Sequence, residues 1–234
     1  MEIKADRLTK RYKNIIAADR LTFTLHKGVT GLLGANGAGK TTLMRMICGI
    51  LEPTEGTVTY DGIPVTEESY RNILGYLPQD FGYYPDFTGM DFLMYFSALK
   101  GLSKQAAKSR TEELLRIVGL SDAAKKRIKS YSGGMKQRLG IAQALINRPE
   151  VLIMDEPTAG LDPQERVRFR NLIGELGKDS IVLLSTHILS DIEHIADRVI
   201  MMKSGQIIWQ GDWGNNKESL ESFYLKEFGE EQHA

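Results

Sequence analysis

A single cysteine, Cys48, stands among 234 residues. It excludes an intramolecular disulfide and a cysteine-built zinc site. Set among Leu43, Met46 and Ile47, it reads as a core side chain. Net charge is also missing: 30 Lys plus Arg meet 30 Asp plus Glu. That balance excludes a general nucleic-acid binder, whose affinity rests on neutralising phosphates with Lys and Arg, and no nucleic-acid partner is expected. A local basic excess remains, with Lys100, Lys104, Lys108, Arg110, Arg116, Lys125, Lys126, Arg127, Lys129, Lys136 and Arg138 facing only Glu112, Glu113 and Asp122. No apolar run approaches the ~20 residues that span a bilayer. The longest, Phe92–Leu99, is broken by Ser97. Met1–Arg7 is mixed polar and charged, so no signal peptide is expected there. Work on a membrane would need a span supplied by another chain. What is present is ordinary: 42% hydrophobic and 26% charged residues, in a length suited to one large domain or a core with a subdomain.

The first part of the chain reads as short strands. Leu21, Phe23 and Leu25 alternate with Thr22, Thr24 and His26, the period of a half-buried strand. Thr57–Tyr60 and Ile63–Val65 flank Asp61-Gly62, a hairpin signal. Val29–Leu33 leads through a Gly-rich loop into a helix at Thr42–Cys48, stopped by Gly49. From Gly82 to Lys129 helical patterns take over, at Asp91–Leu99 and Lys104–Val118. Strand and helix then alternate: a helix at Met135–Asn147, a strand at Val151–Met154, and a helix opened by Asp162-Pro163 and closed by Gly177. A strand at Ile181–Leu184 and a hairpin around Lys203–Gln206 complete the pattern. Such alternation predicts a largely parallel sheet. The tail after Gly214 is polar, with one weak helix near Leu220–Phe228 and a frayed end.

Gly34-Ala35-Asn36-Gly37-Ala38-Gly39-Lys40-Thr41 fits the P-loop pattern and lies between a strand and a helix, the context that gives it meaning. Glycines let backbone N–H groups converge on phosphate oxygens, and the helix N-terminus adds positive partial charge. Lys40 supplies a point charge and the Thr41 hydroxyl a magnesium ligand. Val151–Met154 ends in Asp155-Glu156. At the carboxyl end of a parallel strand, Asp155 is placed to hold Mg²⁺ and Glu156 to polarise an attacking water. His187 follows the buried strand Ile181–Ser185 and is favoured for γ-phosphate contact. His26, His194 and His233 have no such context and read as surface residues. Gln79, after the strand-like Ile73–Leu77, suits Mg²⁺ or the attacking water. Ser132-Gly133-Gly134 opens a second helix and so a second anion site. One nucleotide cannot easily occupy two separate helix ends in one small chain, so the simplest reading is that two chains share each nucleotide.

Taken together these segments resemble the ATP-binding cassette family, in particular the nucleotide-binding subunit of an ABC transporter. The resemblance spans about Met1 to Gly211. Gly34–Thr42 resembles the Walker A loop (Gly34, Asn36, Gly37, Ala38, Gly39, Lys40, Thr41 and Thr42 on the nucleotide), and Val151–Glu156 the Walker B strand. Tyr131–Met135 resembles the family signature, Gln79 the Q-loop, Ala159-Gly160-Leu161-Asp162 the D-loop, and His187 the switch histidine. Tyr12 falls where the family places an aromatic that stacks on adenine. The signature departs from the usual Leu-Ser-Gly-Gly-Gln at Tyr131 and Met135, and Met135 cannot donate a side-chain hydrogen bond.

The resemblance implies an α/β fold: a RecA-like P-loop NTPase core with a mostly parallel sheet, an N-terminal antiparallel β subdomain and an inserted helical subdomain at about 82–145. All lie within 1–214, followed by a polar tail at 215–234. It implies ATP hydrolysis with Mg²⁺ held by Thr41, Gln79 and Asp155, and catalysis by Glu156, His187 and Gln79. The implied dimer is head-to-tail, with a copy or a paralogue, and has Ser132, Gly133, Gly134 and Met135 reaching the nucleotide of the other chain. Gly160, Leu161 and Asp162 would line the interface. The implied partner is an integral membrane permease subunit, which would hold the chain on the cytoplasmic face. The aromatic stretch Phe81-Gly82-Tyr83-Tyr84-Pro85 is the candidate dock, with local packing as its other reading. Export is the expected direction: the Tyr-Ser-Gly-Gly-Met signature resembles bacterial exporter cassettes, and the chain lacks the C-terminal regulatory domain of many sugar importers. A soluble mechanical ATPase acting on a non-membrane partner, as in iron–sulfur assembly, stays open as the alternative. A generic P-loop kinase is disfavoured because it leaves the second helix end unexplained.

Overall fold

The computed structural model describes residues 1–214 and 218–229. Two sheets form the frame. The first is antiparallel and takes the order β2 (Ile15–His26), β1 (Glu2–Tyr12), β4 (Glu55–Tyr60), β5 (Ile63–Pro64). Leu21, Phe23 and Leu25 are buried on one face of β2, as their alternation predicts. Asp61 and Gly62 both have positive φ, 46° and 81°, which suits the two-residue turn between β4 and β5.

The second sheet runs β10 (Gln206–Asp212), β9 (Arg198–Lys203), β3 (Gly28–Leu33), β8 (Ile181–Ser185), β7 (Val151–Asp155), β6 (Leu74–Leu77). Neighbours are parallel except β10, which folds back antiparallel on β9. Covered on both faces, the inner strands are continuous apolar runs. Their side chains still divide by the two-residue period. Ile153, Leu183, Ile200 and Met202 join one core with the antiparallel sheet and α1 (Lys40–Ile47). Leu152, Met154, Leu184, Val199 and Met201 join the other, with the remaining long helices.

Those helices are α3 (Gly89–Leu99), α4 (Lys104–Ile117), α5 (Gly133–Ala144) and α6 (Pro163–Gly177). Each starts on a side chain that accepts from its first turn: Thr88, Ser103, Ser132 and Asp162. The last also has Glu165 returning to the cap N–H, which satisfies two donors that a helix start otherwise leaves open. The order of layers is therefore mixed α/β: an antiparallel β part, a mostly parallel sheet and a helical region.

Two elements differ from the reading of the sequence. Helix α2 (Glu68–Ile73) was not expected; at six residues with only Tyr70 buried, it is too short to show a helical period. The weak helix near Leu220–Phe228 is present as α7 (Leu220–Gly229) and is anchored. Leu220 is fully buried, its N–H donates to Glu193 Oε1 at 2.9 Å, and Phe223 packs on Trp209 and Trp213. The expected frayed end lies outside the described residues, as does His233. Cys48 is buried as expected, and burial pushes its thiol pKa up. No helix among the described residues is long and apolar enough to cross a membrane.

Candidate active site

The register aligns the carboxyl ends of the central strands. Asp155 on β7 sits opposite Ser185 on β8, one strand away from the loop that follows β3. That loop, 34–39, turns into α1 through Gly39, whose φ is +101°. A Cβ there would drive into the Ala17 carbonyl oxygen, so glycine is required twice over. No side chain caps α1. Its first N–H groups are thus left for a ligand, which is what an anion-binding helix start needs.

Lys40 is 7% exposed and folds back over the loop, donating to the Gly34 carbonyl at 2.7 Å and the Ala35 carbonyl at 3.1 Å. Burial lowers its pKa, and the Glu156 and Asp155 carboxylates act against that loss. The Thr41 hydroxyl donates to Asp155 Oδ2 at 2.7 Å, while Ser185 Oγ donates to Asp155 Oδ1 at 2.5 Å. Asp155 is 1% exposed, so both its oxygens are spoken for in a dry place. Glu156 points elsewhere, because it follows the end of β7 with a left-handed backbone, φ +52°. Its Oε2 lies 2.8 Å from His187 Nδ1, and the His187 side chain is 64% exposed.

Two adjoining cavities, 380 Å³ and 290 Å³, open over these groups. Gln79 and Glu156 line both, with Lys40, Thr41, Thr42 and Asp155 in one and His187 in the other. The structure thus gathers loop, carboxylates, glutamine and histidine into one cleft. Tyr12 lies outside both linings, at the end of β1, 44% exposed with Lys10 Nζ 5.6 Å from its ring centre. No cluster of three or more His, Cys, Asp or Glu suited to a metal occurs among the described residues. Thr41 and Asp155 are nonetheless hard oxygen donors side by side, and this fits Mg²⁺, which takes one or two protein ligands and completes its shell with phosphate and water.

Ser132, Gly133, Gly134 and Met135 line neither cavity. Ser132 and Gly133 are exposed at the start of α5. Ser132 Oγ accepts from the Met135 N–H at 3.2 Å, which leaves its own O–H free to donate outward. Gly134 packs so closely on the 160–165 segment that a Cβ would come within 2.9 Å of Glu165 Oε2 and 3.0 Å of the Gly160 carbonyl oxygen. Tyr131, one of the signature's two departures, is buried and its hydroxyl donates to the Ala123 carbonyl at 2.8 Å. Of the loop before α6, Gly160 is exposed, Leu161 is buried in the core and the Asp162 carboxylate caps the helix.

The 81–85 stretch packs locally and also shows outward. Phe81 meets Phe92 edge-on at 5.5 Å, and Tyr84 stacks near Phe87 at 4.9 Å while staying 47% exposed. Much of the basic excess holds structure together: Arg138 pairs with Glu165 at 2.8 Å, Arg110 with Glu113 at 2.9 Å and Lys129 with Asp86 at 2.8 Å. Sequence reasoning missed Ser185, Gln137, Ala17 and Tyr224. Ser185 carried a signal: it is the one hydroxyl ending an otherwise apolar buried strand. Tyr224 carried none, because α7 reaches the cleft only through tertiary packing.

A family model described as ABC transporter matches residues 18–159. The chain is 42% identical over 221 residues to the uncharacterized ABC transporter ATP-binding protein YxlF of Bacillus subtilis (strain 168), covering 94% of this chain and 74% of that protein. It is 39% identical over 206 residues to the Nod factor export ATP-binding protein I of Burkholderia orbicola (strain AU 1054), covering 86% and 68%. Among solved structures, the dimeric form of MJ0796, a bacterial ABC transporter cassette, superposes with TM-score 0.84 at 26% identity, covering 90% of this chain and 98% of that one. The same cassette in a post-hydrolysis state bound to ADP and Pi also gives 0.84, at 25% identity and the same coverage.

Proposed function

This chain belongs to the ABC transporter family as an ATP-binding ATPase subunit, and on that premise we propose that two cassettes close head-to-tail over two ATP molecules to drive export through a membrane partner. The observation that carries the reading is the pair of helix starts, one with no side-chain cap and one capped only by Ser132 Oγ. One, at α1, sits inside a lined cleft; the other, at α5, is exposed and lines neither cavity. An ATP bound on the first still presents its γ-phosphate outward. A second chain's Ser132 O–H and α5 N–H groups supply the missing donors. ATP then links two positive helix ends, and loss of the γ-phosphate weakens the link.

Within the cleft the roles divide by chemistry. Backbone N–H groups of 36–41 and Lys40 cradle the phosphates. Thr41, Asp155 and Gln79 are the residues that would hold Mg²⁺, which when bound neutralises charge on the phosphate oxygens. Glu156, oriented by His187, takes the proton of the attacking water, and His187 and Gln79 report the γ-phosphate to the rest of the chain. Tyr12 stacks on adenine. Gly160 meets the partner cassette, while Leu161 and Asp162 hold its loop in shape. The exposed faces of Tyr84 and its neighbours dock an integral membrane subunit, which fixes the chain to the cytoplasmic face. The cassette is taken as 1–214, with α7 of the segment that follows packed against it. Export is supported by the name of the Nod factor relative and by the signature.

The reading is tested with Glu156→Gln. With ATP the variant is expected to elute as a dimer and with ADP as a monomer, by light scattering on a sizing column. A variant that stays monomeric with ATP, or that hydrolyses at the normal rate, would overturn it.

A further inference from the structure

Glu156 is held in a backbone shape that its own side chain disfavours. Its φ is +52°, in the left-handed region that a non-glycine residue keeps only when the surroundings over-determine it. On the amino side, the Glu156 N–H reaches Ser185 Oγ at 3.0 Å and the Ser185 carbonyl at 3.2 Å. On the carboxyl side, Gln137 Nε2 donates to the Glu156 carbonyl at 3.3 Å and to the Pro157 carbonyl at 3.1 Å. One amide has two N–H donors, and two consecutive carbonyls use both. Gln137 is therefore a clamp on the turn that sets where the Glu156 carboxylate points.

Gln137 belongs to α5, the helix that begins at Ser132. The next residue, Arg138, ties that helix to Glu165 at 2.8 Å and to the Val118 and Gly119 carbonyls at 2.9 and 3.0 Å. Gln137 thus joins α5 to the Glu156 turn inside one chain, while Arg138 seats the same helix against Glu165 and the end of α4. We propose that Gln137 is a positioning residue: it aims Glu156 and makes that aim depend on the seat of α5. This rests on the shared-site reading above. There, α5 contacts the ATP held by the partner, whereas Glu156 acts on the ATP held by its own chain. The Gln137 clamp then carries the state of one nucleotide to the base of the other site, and the two sites of the dimer are coupled through it.

The test uses full-length chains carrying Gln137→Met, which keeps length and removes the donors, and Gln137→Glu, which keeps polarity and removes them. Both should lower kcat about tenfold, since small displacements of a reacting group are costly, with KM for ATP and the melting temperature nearly unchanged. A purely structural role would instead lower the melting temperature and spare kcat per folded chain. Location is read in mixtures of Ser132→Arg and Glu156→Gln chains, where each mixed dimer has one site with both groups intact. Gln137→Met on the chain supplying that Glu156 should cost several-fold more activity than on the chain supplying that Ser132. Equal losses in the two mixtures, or a normal kcat in both single variants while Glu156→Gln is inactive, overturn the proposal and leave the base in place. An active Glu156→Gln chain would overturn the reading beneath it instead.

Discussion

The starts of α1 and α5 are both open to an anion, yet they are built differently. At α1 the cap is a glycine with no side-chain bond, the following lysine is buried, and the two carboxylates at the end of β7 complete a lined cleft. At α5 the cap is a serine that satisfies one N–H of its own helix, and the surface around it is exposed. On the proposed reading the first holds a nucleotide on its own chain, because loop, lysine and carboxylates already line one cleft. The second lines neither cavity, so on the proposed reading it acts on a ligand that arrives already held. That reading assigns binding and firing to different surfaces of one chain.

Variants at the two ends should separate these tasks. The largest effect is expected from Ser132→Arg, which fills the exposed end with a bulky cation: hydrolysis should fall about 100-fold or more, as when a transition-state donor is removed, with the ATP Kd of the isolated chain unchanged by titration calorimetry. Lys40→Ala should do the reverse in binding, weakening ATP by roughly 10- to 100-fold, the scale of a charged hydrogen bond. Equal effects of both variants on Kd would erase the distinction. Next comes Tyr12→Ala, expected to weaken ATP by about tenfold for one lost base stack, while leaving binding of inorganic triphosphate as it was. The smallest concerns the frame. Asp162→Ala removes the α6 cap and should lower unfolding free energy by about 1 kcal/mol in urea titration, without changing the Kd for ATP.

The cleft was legible in the sequence where its parts are contiguous. Gly34–Thr41 and Asp155-Glu156 announce themselves because their neighbours along the chain are also their neighbours in space. Hydrophobic alternation likewise placed β2, and short apolar runs placed β7 and β8, whose two faces divide between the two cores. What escaped was the long-range part. Ser185 holds both Asp155 and Glu156 from the next strand, 30 and 29 residues away. Gln137 reaches its carbonyls across 19 and 20 residues. Helix α2 is too short to show a period, and α7 looks weakly amphipathic until Trp209 and Trp213 are known to lie beneath it. Chemistry was written locally; the grip that orients it was not.

On the proposed reading one chain carries two half-sites, and neither works alone. The most direct test is ATP hydrolysis per chain measured against chain concentration, at saturating ATP, down to dilutions at which light scattering shows monomers. The expected result is a specific activity that falls steeply toward zero as dimers vanish, and that Ser132→Arg chains never show at any concentration. A specific activity that stays constant on dilution into the monomer range would contradict it.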